Sequence, residues 1–264
     1  MVKHRILVTN DDGVDARGIK TLTEVALEFG EVVVVAPERG MSGMSHSITM
    51  SHPLFVRKIE ERENLTIYGC DGTPVDCVKV AFDAILKENP PTLVLSGINH
   101  GANTNLSVLY SGTMGAAIEG STYKIPSIGV SQMSHDTSYD LEAAKHYARE
   151  IIRMVVENYP TQDEIYNPQF TPICLNVNVP NLPLCEIKGI RFCRQTRGYW
   201  KEDFEQLFDP RGREYYWLVG SFINEEYDAE DTDEWAIRNG YVAAVPVQTD
   251  LTNYNLLQSS KNWK

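Results

Sequence analysis

Cysteine is scarce in this sequence, and its spacing excludes two common ways of stabilising a small fold. The 264-residue chain has five cysteines, an odd number, and no Cys-x-x-Cys motif. Neither a disulfide framework nor a structural zinc site is expected from that pattern. We predict reduced thiols that fill space in the core, as in a cytoplasmic protein.

Positive charge is also in short supply. Lys and Arg number 24 against 36 Asp and Glu, which gives a net charge of −12. Such a surface repels phosphate backbones over a distance, so binding to nucleic-acid polymers is not expected. A small anionic substrate would need local positive charge, and a bound metal ion supplies it most economically.

Long hydrophobic runs are absent as well. No apolar stretch reaches the roughly 18 residues that suggest a membrane-spanning helix. The N-terminal residues lead into a strand pattern without the apolar core of a signal peptide. We therefore expect no membrane partner. The hydrophobic content of 42% is instead enough for a full globular core.

Short β-branched runs alternate with helical patterns over the first two-thirds of the chain. This alternation is typical of a Rossmann-like α/β fold, with a mostly parallel sheet and helices on both faces. A segment at 47–70, rich in Thr, Val, Ile and Phe, interrupts the alternation and predicts an inserted β-hairpin. The predicted strands are 5–10, 31–37, 92–99, 127–132 and 173–179, and the predicted helices are 18–29, 75–86, 113–123 and 141–158.

The sequence changes character after Pro180, where we predict the end of a catalytic domain at 1–180. The remaining region, 181–264, is β-rich and is expected to pack partly back on the core. Its acidic stretch at 225–234 predicts a solvated turn or a surface that pairs with arginines. Its aromatic residues indicate either a small core or an oligomer interface. The predicted strands are 187–196, 214–223 and 241–247; the aromatics are Tyr199, Trp200, Phe204, Phe208, Tyr215, Tyr216 and Trp217; the arginines are Arg191, Arg194, Arg197, Arg211 and Arg213.

Two adjacent aspartates follow the first predicted strand. In a doubly wound sheet, ligands bind at the carboxyl ends of the strands, where Asp11 and Asp12 are placed. Neighbouring carboxylates repel each other, and a hard cation such as Mg²⁺ or Mn²⁺ removes that penalty. The alternative is structural, with one aspartate capping the next helix or forming a turn with Gly13.

Three more segments place hydroxyl and amide groups at strand ends. A Ser- and Gly-rich loop follows the second strand, two asparagines flank glycines after the third, and Ser111-Gly112-Thr113 opens a helix. A helix start of this kind can present N–H groups and hydroxyls to a phosphate, although Ser111 is equally suited to a simple N-cap. Residues 89–118 contain no Asp, Glu, Lys or Arg. Together these features favour phosphoryl transfer assisted by a metal ion.

The motifs resemble those of a known family in the same order along nearly the whole chain. They are ILVTNDDG, APERGMSGMSHSIT, GTPVDCV, LVLSGINHGANT, YSGTMGAAIEG and IPSIGVS, followed by the RQTR and DPRGREYYW stretches. This set resembles the SurE family of metal-dependent 5′-nucleotidases (survival protein E). The resemblance implies metal ligation by Asp11, Asp12, Ser42 and Asn99, and a phosphate pocket lined by Asn103, Ser111 and Thr113 with Gly112 allowing close approach.

Ser42 is preferred to Ser45 as the ligand because it lies closest behind Pro37, and His100 is placed outside the site. The resemblance further implies one divalent metal ion per subunit, Mg²⁺ or Mn²⁺, and a homodimer or homotetramer built through the C-terminal region. The implied reaction is hydrolysis of nucleoside 5′-monophosphates, with 3′-monophosphates and short polyphosphate as further candidate substrates. The nucleophile is a metal-activated water with Asp11 or Asp12 as base, or alternatively an aspartate that attacks directly.

Two other functions fit the sequence less well than a nucleotidase. A phosphatase like the haloacid dehalogenases needs Asp-x-Asp after the first strand, whereas this chain has Asp-Asp-Gly. A non-catalytic, Rossmann-like nucleotide-binding module predicts Gly-x-Gly-x-x-Gly at the same place, and that motif is also missing. Both alternatives are therefore weaker than a metal-dependent phosphatase.

Overall fold

A nine-stranded sheet forms the centre of the protein, and a two-stranded ribbon stands apart from it. The computed structural model describes residues 4–134, 140–160, 164–165, 167, 169–261 and 263. The strands are β1 His4–Thr9, β2 Gly30–Pro37, β3 Val56–Arg62, β4 Leu65–Cys70, β5 Leu93–His100, β6 Ser127–Gln132, β7 Cys174–Val179, β8 Ile190–Phe192, β9 Gly198–Phe208, β10 Glu214–Asn224 and β11 Val242–Pro246. The α-helices are α1 Arg17–Leu27, α2 Pro74–Val80, α3 Gly112–Thr122, α4 Glu142–Glu157, α5 Asp233–Arg238 and α6 Tyr254–Ser260.

The sheet has the strand order β3-β4-β2-β1-β5-β6-β7-β11-β8. Strands β4, β2, β1, β5, β6 and β7 run parallel to their neighbours in that series, so their carboxyl ends lie at one edge. This is the edge where an open α/β sheet binds its ligands. The predicted Rossmann-like arrangement is confirmed.

Helices cover both faces of the sheet because its central strands are apolar on both sides. Ile6 and Val8 point to the face that packs against α1 and α4, and Leu7 points to the face covered by α2 and α3. Such strands read as continuous apolar runs rather than as an alternation of polar and apolar residues. Each predicted helix of the first 160 residues is present within two residues at its start.

Helix α2 begins in a way that the sequence Gly-Thr-Pro-Val-Asp encodes. The Thr73 hydroxyl accepts the N–H of Asp76 at 3.1 Å, and the Asp76 carboxylate accepts the N–H of Thr73 at 2.9 Å. Pro74 occupies the first helical position, where no donor is needed. A wider helical turn, Ala81–Ile85, continues the helix.

The inserted hairpin is confirmed, although its strands begin later than the sequence suggested. β3 and β4 pair antiparallel, and β4 pairs parallel with β2, so the hairpin forms one end of the sheet. The residues of β3 are all exposed, and five of its seven side chains are charged, which is typical of an edge strand. The segment before Val56 is an extended loop rather than a strand.

The C-terminal region contributes to two different structures. β11 pairs antiparallel with β7 and parallel with β8, so part of this region completes the main sheet. β9 and β10 form the separate antiparallel ribbon, in register from Gly198 with Asn224 to Phe208 with Glu214. Strand β9 and helix α5 were not predicted, and the strand expected at 187–196 is limited to β8. The domain boundary at 180 stays a prediction.

The aromatic residues of the ribbon do not form a core of their own. The exposed fractions of the seven aromatics expected at an interface range from 37% for Trp200 to 63% for Phe208. The acidic stretch does pair with arginines: Glu226 and Asp231 both contact the Arg194 guanidinium, at 2.5 and 2.8 Å. Arg197 also pairs with Glu226, whereas Arg213 pairs with Asp209 outside the stretch.

Four of the five cysteines are buried as free thiols, and Cys185 is exposed. The prediction of thiols that fill core space therefore holds for four of them. In the described ranges, no helix has both the length and the apolar character that crossing a membrane requires.

Candidate active site

The turn after β1 presents two neighbouring carboxylates at the carboxyl edge of the sheet. Buried Asn10 closes this turn, because its side chain accepts the Gly13 N–H at 3.2 Å and donates to the Gly13 carbonyl at 2.9 Å. Helix α1 starts without a side-chain cap. The structural role considered for Asp11 and Asp12 is thus filled by Asn10, which leaves both carboxylates to other partners.

Asp11 is the buried member of the pair, with 3% of its surface exposed. Its Oδ1 accepts a hydrogen bond of 2.5 Å from the Thr113 hydroxyl. Gly112 lies against the same carboxylate: a Cβ at that position would be 2.9 Å from Oδ2 of Asp11 and 2.8 Å from its Cβ. The glycine therefore permits a close approach between the start of α3 and the end of β1.

Asp12 is less deeply buried and contacts the end of β5. Its Oδ2 accepts the backbone N–H of His100 at 3.1 Å. β1 and β5 are neighbours in the sheet, so this contact follows from the strand order. The His100 side chain is expected to lie outside the site, but the His100 main chain contacts a candidate metal ligand.

The loop that carries Ser42 comes from β2, the other neighbour of β1. The N–H of Met41 donates to the carbonyl of Asp11 at 2.7 Å, which places Ser42 one residue from a direct contact with the aspartate turn. Ser45 is committed elsewhere, since its hydroxyl donates to the Leu109 carbonyl at 2.6 Å. Ser42 is exposed. The hydroxyl of Ser45 is thus engaged in the structure, and ligation by Ser42 stays a prediction.

Asn99 lies near the end of β5, where the strand pairing is irregular. The register with β6 shifts between Gly97 and Asn99, and Gly97 has a φ of +128° that a side chain would strain. The Asn99 Nδ2 donates to the Gly101 carbonyl at 2.8 Å. That bond fixes the orientation of the amide group. The amide oxygen Oδ1 is the type of atom that a hard cation binds.

The residues predicted to line the phosphate pocket have other bonds in this structure. The Ser111 hydroxyl accepts the N–H of Met114 at 3.0 Å and so caps α3. The Thr113 hydroxyl holds Asp11. Asn103 is 7% exposed, and its Nδ2 donates to the Ser131 hydroxyl at 2.9 Å. Direct contacts of these three side chains with phosphate stay predictions.

Asn103 is fixed on its main-chain side as well. Its N–H donates to Asn178 at 2.7 Å, and its carbonyl accepts from Asn176 at 2.8 Å. Both partners lie on β7, an interior strand whose carboxyl end lies on the same side of the sheet as the site. The loop after β5 is therefore rigidly positioned by a buried polar network.

The two aspartates carry perturbed acidities. Burial raises the pKa of Asp11 to about 6; the Thr113 hydrogen bond opposes this rise and the neighbouring Asp12 carboxylate adds to it. Burial also raises the pKa of Asp12, with the His100 backbone bond opposing the rise. Because burial makes the charged form of both carboxylates unfavourable, binding of a proton or a cation relieves that penalty.

The chemistry of these donors fits one hard divalent cation. Asp11 and Asp12 would supply carboxylate oxygens, and Ser42 and Asn99 would add a hydroxyl and an amide oxygen, the ligand types that hard divalent cations prefer. In the described residues, no three His, Cys, Asp or Glu side chains cluster as a metal site. The neutral oxygens would therefore be needed to complete the coordination.

Helix α3 begins beside the two aspartates. Gly112 and Thr113 occupy the first helical turn, whose N–H groups have no partner within the helix, and the helix dipole favours an anion there. The fold and the site thus define a Rossmann-like α/β protein whose two neighbouring carboxylates lie against the start of a helix.

Comparison with known proteins identifies the family. A family model described as Survival protein SurE matches residues 6–202. The 5′-nucleotidase SurE of Flavobacterium psychrophilum is 45% identical over 264 residues, covering 100% of this chain and 98% of the relative. That of Flavobacterium johnsoniae is 46% identical over 263 residues, covering 99% and 97%. The chain belongs to the SurE family.

A solved structure supports the same assignment. The crystal structure of the SurE protein from Aquifex aeolicus matches with a TM-score of 0.80 at 39% identity, covering 97% of this chain and 98% of that one. The family assignment does not favour the dehalogenase-like phosphatase or the non-catalytic nucleotide-binding module.

Sequence reasoning missed three structural contributors to the site. Asn10 organises the aspartate turn, the His100 main chain bonds Asp12, and His46 bonds Glu119 of α3 at 2.8 Å. The Asn-x-x-Gly spacing is a known turn signal and would have identified Asn10. Nothing local in the sequence links His46 with a residue 73 positions away.

Proposed function

We propose that this protein is a metal-dependent 5′-nucleotidase that hydrolyses nucleoside 5′-monophosphates to nucleoside and phosphate. The observation that carries the proposal is the contact of Asp11 with Gly112 and Thr113, which puts a carboxylate pair against the start of α3. The full-length similarity to relatives named 5′-nucleotidase SurE supports the substrate class.

Asp11, Asp12, Ser42 and Asn99 would hold one Mg²⁺ or Mn²⁺ ion. When bound, such an ion offsets the charge that develops on the phosphoryl group and lowers the pKa of water. The net charge of −12 makes this local positive charge necessary for an anionic substrate.

Groups of the chain itself would bind the phosphate and accept the proton of the attacking water. The N–H group of Gly112 and the side chains of Ser111 and Asn103 would donate to its non-bridging oxygens, whereas the hydroxyl and the N–H of Thr113 both face Asp11. Water is proposed as the nucleophile, with Asp11 or Asp12 as the base that takes its proton, and direct attack by an aspartate is the alternative. Thr113 keeps the Asp11 carboxylate oriented.

The protein is further proposed to act as a homodimer or homotetramer through the ribbon of β9 and β10. The exposed aromatic side chains of the ribbon support this assembly, because a cluster of exposed aromatics is typical of an interface. A cytoplasmic location and the absence of nucleic-acid polymer binding stay predictions.

Phosphate release from a substrate panel tests the proposed activity. The panel comprises nucleoside 5′-monophosphates, the matching 3′-monophosphates, short polyphosphate and p-nitrophenyl phosphate, each with Mg²⁺ or Mn²⁺. We expect the highest kcat/KM for a 5′-monophosphate. Equal rates on p-nitrophenyl phosphate and every nucleotide would contradict a nucleotidase and indicate an unspecific phosphatase.

A further inference from the structure

The loop that carries Ser42 is packed directly on helix α3. We call residues 38–50 the serine loop. Ser45 has a left-handed backbone with a φ of +55°, which costs energy for a residue with a side chain. Its N–H donates to the Tyr110 carbonyl at 3.0 Å and its hydroxyl to the Leu109 carbonyl at 2.6 Å. These bonds hold the strained residue in place.

Helix α3 has no side chain at the point where the serine loop crosses it. A Cβ on Gly115 would lie 2.4 Å from the carbonyl oxygen of Ser45 and 3.2 Å from Cα of His46. Gly115 thus lets the two backbones touch. The contact places the His46 side chain over the next turn of the helix.

The His46 ring contacts the buried, ionised carboxylate of Glu119 on that helix. Its Nε2 lies 2.8 Å from Oε2 of Glu119, and Lys79 of α2 holds the other oxygen at 2.6 Å. The Glu119 side chain is only 7% exposed. Burial works against its charge, but the bonds from His46 and Lys79 outweigh burial and lower its pKa. Glu119 is therefore a fixed negative anchor.

The anchor lies on the same helix face as the candidate site but away from the reacting atoms. Ser111, Gly115 and Glu119 are spaced at intervals of four residues, so they share one face of α3. Two helical turns separate Ser111 from Glu119, a rise of about 12 Å. His46 is too far along the helix to touch a phosphate at its start.

The C-terminal half of the serine loop is fixed to α2. The Ser47 carbonyl accepts the Thr73 hydroxyl at 2.7 Å, and the Thr49 N–H donates to Asp76 at 3.0 Å. At the other end, the Met41 N–H donates to Asp11. The exposed turn with Ser42 lies between these attachments. Ser45 and His46 follow this turn and bond the segment of α3 and the loop before it.

We propose that His46 is a positioning residue, whose contact with Glu119 ties the serine loop to α3 and holds Ser42 beside Asp11 before a cation binds. The inference rests on the proposed function for the role of Ser42, but the tether itself is a property of the metal-free protein. His46 belongs to this chain's own loop sequence, Gly-Met-Ser-His-Ser, and lies four residues after Ser42.

Three variants of the full-length protein separate the tether from general stability. His46→Ala removes the contact, and His46→Gln replaces the ring Nε2 by an amide nitrogen of similar reach. Lys79→Met is the matched control, because it also takes one partner from Glu119, whereas the bonds between the serine loop and the α2 region come from Thr73 and Asp76. Amide hydrogen exchange at Met41 in the chelated protein reports whether the loop lies against Asp11. Mn²⁺ titration followed by electron paramagnetic resonance reports affinity.

We expect His46→Ala to speed exchange at Met41 and to weaken Mn²⁺ binding by about threefold to tenfold, because a half-exposed hydrogen bond to a charge is lost. His46→Gln should restore both. Lys79→Met should lower Tm to a similar degree as His46→Ala and leave Met41 exchange and Mn²⁺ affinity at the wild-type values.

Unchanged Met41 exchange in His46→Ala would overturn the tether, and so would a Lys79→Met variant that weakens Mn²⁺ as much as His46→Ala. Failure of the proposed function looks different. In that case the wild-type protein releases no phosphate from nucleotides, while Met41 exchange still responds to His46→Ala and recovers in His46→Gln.

Discussion

The hydroxyl of Thr113 donates to the carboxylate of Asp11 at 2.5 Å and joins the first turn of α3 to the end of β1. The bond needs Gly112 beside it, since any side chain there would collide with the same carboxylate. It also partly offsets the burial that raises the pKa of Asp11 to about 6. The site therefore keeps a costly buried carboxylate that is poised to bind a cation.

This arrangement predicts how stability depends on pH when metal is removed. Asp11 has an ordinary pKa of 3.8 when unfolded and about 6 when folded, so the folded state holds the proton more tightly. The contribution of Asp11 to the free energy of unfolding should be most favourable below pH 4. It should become less favourable as the pH rises to about 6. The full effect is about 3 kcal/mol.

Asp11→Asn removes this titration and serves as the control. Denaturant unfolding of chelated protein at several pH values from 4 to 7 should show a smaller loss of stability with rising pH in the variant. Equal pH dependence in the two proteins would contradict the raised pKa of Asp11.

Asp12→Asn is predicted to abolish most metal binding. The change keeps the size of the side chain but removes a negative charge, and carboxylate charge is what favours a hard dication. We expect the Mn²⁺ affinity to fall by more than about 100-fold, since outer contacts alone typically change it by 10- to 100-fold. Calorimetric titration measures the effect, and near-normal affinity would remove Asp12 from the ligand set.

Ser111→Ala is predicted to separate phosphate recognition from metal binding. Loss of a hydrogen bond to a charged group should reduce kcat/KM by about 5- to 150-fold. Because Ser111 caps α3, stability should also fall by about 1 kcal/mol. Steady-state kinetics and thermal melting must be measured together. A change in Tm alone would assign Ser111 to the cap, and a severe loss of metal would refute its assigned role.

Deletion of the ribbon is predicted to reduce the size of the assembly. Gly198 and Asn224 are paired across the ribbon, so a short glycine linker can join them without disturbing β11 or β8 in the main sheet. Light scattering gives the mass of the particle, and dividing it by the mass of one chain gives the number of subunits. We expect more subunits in the intact protein than in the deletion variant. An intact protein that is monomeric at micromolar concentration would rule out the proposed assembly.

Periodicity was sufficient to predict the central sheet and its helices, because buried parallel strands and amphipathic helices have distinct patterns. It failed for β9, whose residues are charged and aromatic and almost all exposed, so no buried face imposes an alternation. It also failed for α5, a six-residue helix capped by Thr232 inside an acidic stretch.

The candidate ligands were predictable from their place at strand ends, together with the family's motifs. Their partners were not, because these contacts cross large sequence separations: Thr113 bonds Asp11 across 102 residues, and His100 bonds Asp12 across 88. The sequence suggests that Thr113 contacts phosphate, and this stays a prediction; in the structure its hydroxyl donates to Asp11. Only the packing of α3 against the end of β1 reveals that role.

Phosphate release from a nucleoside 5′-monophosphate, measured before chelation, after chelation and after Mn²⁺ or Mg²⁺ is returned, tests the central claim most directly. The arrangement of Asp11 and Asp12 at the start of α3 predicts activity that disappears with the chelator and recovers with the metal. Undiminished turnover in excess chelator would contradict the metal-dependent mechanism.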